Sequence, residues 1–198
     1  MFRLILTGFA ALVVFSVQAM PAPANTVDAF HAALLDNMEH GESLGCAGRT
    51  QKMDKAIPDT FDLPFISHLV MKRHWTKLTP AQQATFTATL KNLVIATYAG
   101  QFSRHHGETF STQDTLSLPN GARLVHAKLT RRDDDPVSFD YVLHLDAGHW
   151  KVINVVADGV SDLAIRSAQY DRLYSERGYT GLIDFLDKQI AQLRNTCP

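Results

Sequence analysis

The apolar residues of segment 61–75 cover more of a helix than a single buried face requires. Asp62 can cap the start of this helix, and Pro64 suits its first turn. An ordinary surface helix buries one narrower stripe, whereas here the apolar positions fall into three groups: Phe61, Phe65 and Leu69 on one side, Ile66 and Val70 further round, and Met71 and Trp75 on the far edge. The helix is therefore expected either to pack on two sides or to line a cavity with one of them.

Further helices are predicted on both sides of this segment. Apolar residues recur at helical spacing over residues 27–38, with Gly41 near the end of that helix. A glycine-containing linker then leads into a polar helix over residues 50–58. Residues 79–82 form a near capping box with a proline at the first helical position. The long helix that begins there has a wide apolar arc: Phe86, Leu90, Leu93, Val94, Tyr98 and Phe102.

From about residue 108 the apolar period changes from helical to alternating, which predicts strands. Short turns rich in Pro, Asn, Asp and Gly separate four of them: residues 110–118, 122–130, 137–146 and 149–157. In the third strand, Phe139, Tyr141 and Leu143 share one face. Such short connections predict hairpins and an antiparallel sheet.

Two closing helices are predicted after the sheet, the first ending at Gly178 and the second covering residues 180–195. The order predicts an α+β fold, with helices packed on one face of a curved four-stranded antiparallel sheet. Such a cone can enclose an apolar cavity. Because no internal linker divides the chain, residues 25–198 are expected to form a single domain.

The first 24 residues have the layout of a cleaved secretory signal. Arg3 precedes an apolar run over residues 4–17, and small residues at Ala19 and Ala24 offer cleavage sites. The alternative is a membrane anchor, but the run is short of the roughly 20 residues that a spanning helix needs. The mature protein is therefore expected to be exported.

The net charge narrows the classes of possible partner, and the cysteine content allows one disulfide. The formal net charge is -1 at pH 7, and removal of the signal takes away Arg3 and no acidic residue. Bulk charge therefore favours neither nucleic acid nor an anionic membrane as a partner. The two cysteines, Cys46 and Cys197, can form a disulfide after export, and two unrelated thiols are the alternative.

Little in the sequence points to catalysis. It has no phosphate-binding glycine loop, no GxSxG elbow and no HExxH motif. Its scattered histidines lack metal-ligand spacing, so no metal or other cofactor is expected. Asp140 and His144 share a strand face and could form an acid–base pair, although they face water if the aromatic face is the interior. Asp158 and Asp162 are interpreted as a turn residue and a helix cap.

Three segments carry a family resemblance: FDLPFISHLVMKRHWTKLTPAQQATFTATLKNLVIATYAGQF, WKVINVVADGVS and IRSAQYDRLYSERGYTGLIDFLDKQ. Together they resemble the MlaC-type periplasmic lipid-binding proteins, also called the toluene-tolerance family, over residues 27–193. The most specific elements are Trp75 with Thr79-Pro80 and Gln83, Gly159-Val160-Ser161, Arg166, and Gly178 with Gly181-Leu182. The stretch LGCAGRT...IPDTFDLPF resembles the hopanoid-biosynthesis branch, HpnM, more than the phospholipid branch.

The resemblance implies helices wrapped on a twisted four-stranded sheet around a deep apolar cavity. It also implies a periplasmic carrier that performs no covalent chemistry and moves a lipid between an outer-membrane lipoprotein complex and an inner-membrane MCE/ABC-type transporter. For this chain we expect a monomer that holds a phospholipid or hopanoid. Its candidate lipid-binding residues come from the wide helix faces and the facing strands: Phe61, Phe65, Leu69, Trp75, Phe86, Leu90, Val94, Tyr98, Phe102, Phe139, Tyr141, Leu143 and Trp150.

Three functions stay open at the level of sequence. A lipid carrier is favoured by export, by the wide apolar faces and by the lack of a catalytic set. The alternative is a cone-shaped, NTF2-like isomerase or dehydratase that uses Asp140 and His144. A third possibility is a module that only recruits a partner, with its apolar faces fully packed, since any single candidate residue could belong to an ordinary core.

Overall fold

A computed structural model describes residues 22–132 and 134–197 of the chain. The predicted signal, residues 1–24, therefore lies outside the described residues except for its last three positions. Within the described ranges, no helix is both long and apolar enough to cross a membrane. The helices are α1 (Pro23–Glu39), α2 (Gly41–Thr60), α3 (Leu63–Met71), α4 (Pro80–Gln101) and α5 (Asp162–Asn195), with a 3-10 helix (Lys72–Lys77) after α3.

The strands form one antiparallel sheet in sequential order: β1 (Thr109–Ser117), β2 (Arg123–Thr130), β3 (Val137–Asp146), β4 (His149–Ala157) and β5 (Val160–Ser161). The four predicted strands are confirmed to within one residue at each end, but the count of four is wrong because β5 adds a fifth. Asp158 and Gly159 both have positive φ, 46° and 80°, and make the two-residue turn that pairs β4 with β5. A strand of two residues is too short to show an alternating pattern.

The segment predicted as a linker is helical. Helix α2 begins at Gly41, and its only non-helical residue is Gly45, with φ 58° and ψ -178°. Gly41 is required by a close approach of two backbones, because a Cβ at this position would lie 1.8 Å from the carbonyl oxygen of Ser103. In this segment Gly45 allows a kink within the helix, and Gly41 allows the helix to pack closely against Ser103. The prediction of a linker, which was based on composition, is therefore wrong.

Most predicted helix boundaries are confirmed by their caps. The Asp62 carboxylate accepts a hydrogen bond from the N–H of Phe65 at 2.9 Å, and Thr79 and Gln82 form a capping box at the start of α4. The predicted break at Gly178 is present, since this residue has φ 66° inside α5. The prediction that Asp162 caps α5 is wrong, because the N-cap is Ser161.

Two clusters of buried side chains hold the fold together. The first joins α1 and α2 to the inner face of the sheet and includes Phe30, Ile57 and Tyr141. The second joins α3, α4 and α5 to one another. Ile66 of α3 and Val94 of α4 pack against both clusters. The fold is α+β, as predicted, and the boundary between its two clusters runs along α3 and α4.

A disulfide links helix α2 to the C-terminal end of the described chain. Cys46 in α2 is bonded to Cys197, which follows α5, with the Cα atoms 5.8 Å apart. Beside it the buried Arg49 donates hydrogen bonds to the carbonyl oxygens of Ala99 at 3.0 Å and Gly41 at 2.6 Å. The remaining guanidinium nitrogen of Arg49, Nη2, donates to the Cys197 Sγ at 3.2 Å. Helix α2 is thereby fixed to α4 and to the C-terminal end of the chain.

Candidate functional site

A cavity of about 460 Å³ lies where the sheet, α3, α4 and the start of α5 meet. Its volume falls in the range of about 300 to 1,000 Å³ that is usual for small-molecule sites. We call this space the cavity. Its walls are lined by Phe61, Leu63, Ile66, Leu90, Val94, Thr97, Tyr98, Gln101, Phe102, Phe139, Ile153, Asn154, Val155, Ala157, Val160, Asp162, Leu163, Ile165 and Arg166.

One wall comes from helix α4, because its lining residues recur at helical spacing: Leu90, Val94, Thr97, Tyr98 and Gln101. Tyr98 is held in place by neighbouring rings. Its ring centroid lies 5.2 Å from that of Phe30 and 6.0 Å from that of Phe61, while the Phe30 and Phe61 centroids are 5.2 Å apart. Two of these three contacts are edge-to-face, and such contacts add to the stability gained from burial. Packing against Phe30 and Phe61 therefore holds Tyr98 in place.

The opposite wall is the inner face of β3 and β4, and a β-bulge shapes it. Val142 pairs with Asn154, but the next residue, Leu143, pairs with Val152, which leaves Ile153 without a partner. The extra residue keeps both Val152 and Val155 on the inner face and turns Ile153 into the cavity lining. Sequence alternation alone could not reveal this change of register.

Polar groups are concentrated where the cavity meets α5. The Nε of Arg166 donates to the Asp162 carboxylate at 2.6 Å, and Asn154 Oδ1 accepts hydrogen bonds from Ser161 and from the Leu163 N–H at 3.1 and 3.2 Å. These contacts fix the first turn of α5 against β4. Beside them, Val160 and Ile165 also line the cavity, and each is 54% exposed. The opening therefore has an apolar rim next to an ion pair.

Tyr98 and Arg166 of the lining keep their usual charge states at neutral pH. Burial raises the pKa of the Tyr98 phenol, the nearby Asp162 raises it further, and Arg166 partly opposes both. Burial also acts against the Arg166 cation, but Tyr170 and Asp162 more than compensate and raise the pKa of the guanidinium. The cavity thus contains a neutral phenol and one paired cation.

Six of the thirteen candidate residues line the cavity: Phe61, Leu90, Val94, Tyr98, Phe102 and Phe139. The other seven lie elsewhere. Phe86, Tyr141, Leu143 and Trp150 are buried in the two core clusters. Phe65 is exposed, with its ring centroid 4.6 Å from that of His144, and Leu69 is half-buried in α3. Trp75 lines a separate groove.

Sequence reasoning missed several lining residues, chiefly Leu63, Ile66, Ile153, Leu163 and Ile165. The wide apolar arc of segment 61–75 already included Ile66, and Leu63 lies in the same segment. The apolar start of α5 was a signal for Leu163 and Ile165. Ile153 gave no signal, because its orientation depends on the bulge.

The two residues of the candidate acid–base pair, Asp140 and His144, each contact a different residue. Asp140 is hydrogen-bonded to His126 on the neighbouring strand, and His144 contacts Asp62 at 2.8 Å. None of these four lines the cavity. Among the described residues, no group of three or more His, Cys, Asp or Glu side chains could hold a metal ion. The candidate acid–base pair therefore does not lie in the cavity.

Comparison with known proteins agrees with this architecture. A phospholipid-binding protein from Ralstonia solanacearum, solved in complex with a phospholipid, has a TM-score of 0.74 and 25% sequence identity to this chain. The match covers 86% of this chain and 95% of that one. The sequence profile described as MlaC protein matches residues 28–188. This chain therefore belongs to the MlaC family.

Proposed function

We propose that this protein is a periplasmic lipid carrier that holds the hydrocarbon part of a phospholipid or hopanoid in the cavity. The observation that carries the proposal is the apolar lining itself, which comes from α3, α4 and the inner face of the sheet. The phospholipid complex of the Ralstonia solanacearum protein, which has the same fold, supports it. The ion pair of Arg166 and Asp162 beside the opening is suited to a headgroup that stays near water.

Physical chemistry explains why a lipid needs such a carrier. Each buried methylene contributes about 0.8 kcal/mol, so moving a tail of about 15 carbons into water costs on the order of 10 kcal/mol. Uncatalysed passage across an aqueous compartment is then very slow. A protein that replaces the membrane around the tail removes most of this cost. We infer that the carrier moves lipid between the outer membrane and an inner-membrane MCE/ABC-type transporter.

Export is part of the proposal. Residues 1–24 would be removed as a signal, leaving residues 25–198 as the single mature domain. Cleavage after Ala24 trims only Pro23 and Ala24 from α1 and retains the buried Val27 and Phe30. N-terminal sequencing of the protein from a periplasmic extract tests this, and an intact Met1 would contradict it.

The direct test is native mass spectrometry of the periplasmically expressed protein, followed by lipid analysis of what it releases. Ala157→Trp places a large side chain in the cavity lining, while Ala168→Trp makes the same change at an exposed position of α5 outside the lining. We expect one lipid per protein in the wild type and in Ala168→Trp, and little or none in Ala157→Trp. The released lipid identifies the phospholipid or hopanoid branch.

Transfer can be measured separately by following a fluorescent phospholipid from donor to acceptor vesicles. The wild type and Ala168→Trp should accelerate transfer, and Ala157→Trp should not. A folded wild type that contains no lipid and binds none when it is added would overturn the proposal. A converted small molecule detected under the same conditions would instead favour the isomerase or dehydratase alternative.

A further inference from the structure

A polar space lies between α4 and the two parts of α5 that Gly178 separates. We call it the polar pocket, and its volume is about 370 Å³. Thr97 lines it from α4, Gln169 from the first part of α5, and Gln189 and Gln192 from the second part. Most of its lining side chains end in an amide, a hydroxyl or a charged group, in contrast to the apolar lining of the cavity.

The polar pocket adjoins the opening of the cavity. Thr97, Asp162, Ile165 and Arg166 line both spaces, and Ile165 belongs to the exposed apolar rim of that opening. The two spaces therefore meet at the first turns of α5. A lipid that holds its hydrocarbon part in the cavity and leaves through this opening brings its headgroup to the polar pocket.

The charged groups of the polar pocket are already paired with each other. The Nε of Arg166 donates to the Asp162 carboxylate at 2.6 Å, and its Nη1 donates to the Tyr170 hydroxyl at 3.4 Å. Among the described residues, the lining contains no other charged side chain and no aromatic ring. An ammonium headgroup would therefore find a carboxylate that is already neutralised and no ring face to bind it. A phosphate monoester would have to compete with Asp162 for the guanidinium.

Neutral groups supply the remaining hydrogen-bonding capacity. Each side-chain amide of Gln169, Gln189 and Gln192 offers two donors and one acceptor, and none has a hydrogen-bond partner among the described residues. Thr97 and Thr196 each donate a hydroxyl to the carbonyl oxygen four residues earlier, at 2.8 and 2.9 Å, and each hydroxyl oxygen can still accept. Hydroxyl groups both donate and accept, so a ligand with several neighbouring hydroxyls matches this set.

We propose that the polar pocket binds an uncharged, hydroxyl-rich part of the headgroup of the carried lipid. This chemistry is present in the glycerol headgroup of phosphatidylglycerol and in the polyol side chain of a hydroxylated hopanoid. The inference rests on the proposed function and adds headgroup selectivity to it. The apolar cavity accepts hydrocarbon of many kinds, whereas the polar pocket distinguishes lipids by what their hydrocarbon part carries.

Competition between lipids with identical acyl chains tests this selectivity. The mature wild type is exposed to an equimolar mixture of phosphatidylglycerol, phosphatidylethanolamine and phosphatidic acid, and native mass spectrometry counts the bound lipids. We expect phosphatidylglycerol to be retained at least about threefold over each of the others, since one net hydrogen bond contributes a factor of about two to ten. Phosphatidic acid controls for charge, because it is anionic and lacks the glycerol headgroup. In a second mixture, bacteriohopanetetrol competes with diplopterol, which lacks the polyol chain.

A variant that removes two of the amides assigns the preference to the polar pocket. The double variant Gln189→Leu, Gln192→Leu keeps the approximate size of both side chains and removes their hydrogen-bonding groups. It should retain the same total amount of lipid and lose the preference for the hydroxylated lipid. Gln51→Leu makes the same change at an exposed position of α2 outside the pocket and should keep the preference.

The results separate this inference from the proposed function. A preference for the hydroxylated lipid supports the inference, and the mixture that shows it identifies a phospholipid or a hopanoid as the source. If neither mixture shows a preference, the selectivity is overturned and the carrier function stands; equal retention of phosphatidic acid and phosphatidylglycerol counts as no preference. A preference that survives in the double variant, or is lost in Gln51→Leu, also overturns it. If the wild type binds none of the five lipids, the proposed function fails together with the inference.

Discussion

The Nε2 of His144 on β3 lies 2.8 Å from Oδ2 of Asp62 at the start of α3. The other oxygen of the same carboxylate caps α3 through the N–H of Phe65. One side chain thus both starts the helix and attaches it to the sheet. Because Asp62 lies between Phe61 and Leu63, this contact also holds the part of the cavity wall that these two residues form.

We expect Asp62→Ala to lower the free energy of unfolding by about 2 kcal/mol, since it removes a helix cap and a hydrogen bond to a charged group. Urea unfolding at neutral pH measures the change. Asp62→Asn is the matched control, because its side-chain oxygen can still accept the Phe65 hydrogen bond, and it should lose less. Equal stability of wild type and Asp62→Ala would show that neither contact matters.

Reduction of the Cys46–Cys197 disulfide should destabilise the protein substantially. The two residues are 151 positions apart, and in the chain-entropy model a loop of that length contributes about 5 kcal/mol. The double variant Cys46→Ser, Cys197→Ser should therefore unfold at a clearly lower urea concentration than the oxidised wild type. It should resemble the wild type in a reducing buffer. Identical unfolding midpoints in oxidising and reducing buffer would contradict this role.

His31 should make stability depend on pH below neutrality. Burial lowers its pKa from 6.5 to about 4, and the nearby Asp28 opposes this only in part. The unfolded chain then binds a proton that the folded chain does not, so stability falls as pH decreases from about 6.5 to about 4 and loses roughly 3 kcal/mol in all.

Two variants test the role of His31. His31→Gln has no titrating ring and should show a flatter dependence of unfolding free energy on pH in that window. Tyr141→Phe removes the phenol that is hydrogen-bonded to His31 at 3.0 Å but leaves the imidazole buried. It should be less stable overall and keep the pH dependence. An unchanged slope in His31→Gln would assign the effect to other groups.

Gly41→Ala should be strongly unfavourable because its Cβ would meet the backbone of Ser103. Overpacking of this kind typically costs about 1 to 3 kcal/mol. Gly100→Ala provides the comparison, since a Cβ at position 100 has no neighbour within 4 Å and alanine favours a helix by up to about 1 kcal/mol. Thermal unfolding should therefore shift in opposite directions for the two variants. A shift in the same direction would contradict the packing argument.

The sequence predicted the local features of this fold well, because they depend on neighbouring residues. Residues 79–82 form their capping box, Gly178 interrupts the last helix, and the four long strands lie where the alternation placed them. The helical segment 41–50 was missed because its glycines are set by tertiary contacts, such as the approach of Gly41 to Ser103. Composition cannot distinguish such a glycine from one in a loop.

The candidate site was harder to predict for a related reason. Phe86 and Leu90 lie one helical turn apart on α4, and both are fully buried. Phe86 is surrounded by other side chains, whereas Leu90 lines the cavity. An apolar pattern shows which way a side chain faces, but whether it meets a neighbour or an open space depends on elements far away in the chain.

The Cys46–Cys197 bond also affects how the protein withstands damage. Most of the described chain, including the whole sheet and the helices α3, α4 and α5, lies between the two cysteines. A protease that cuts one exposed turn in this interval produces two pieces that stay covalently joined. The disulfide then holds the two fragments close enough to re-form the same contacts after a single cut.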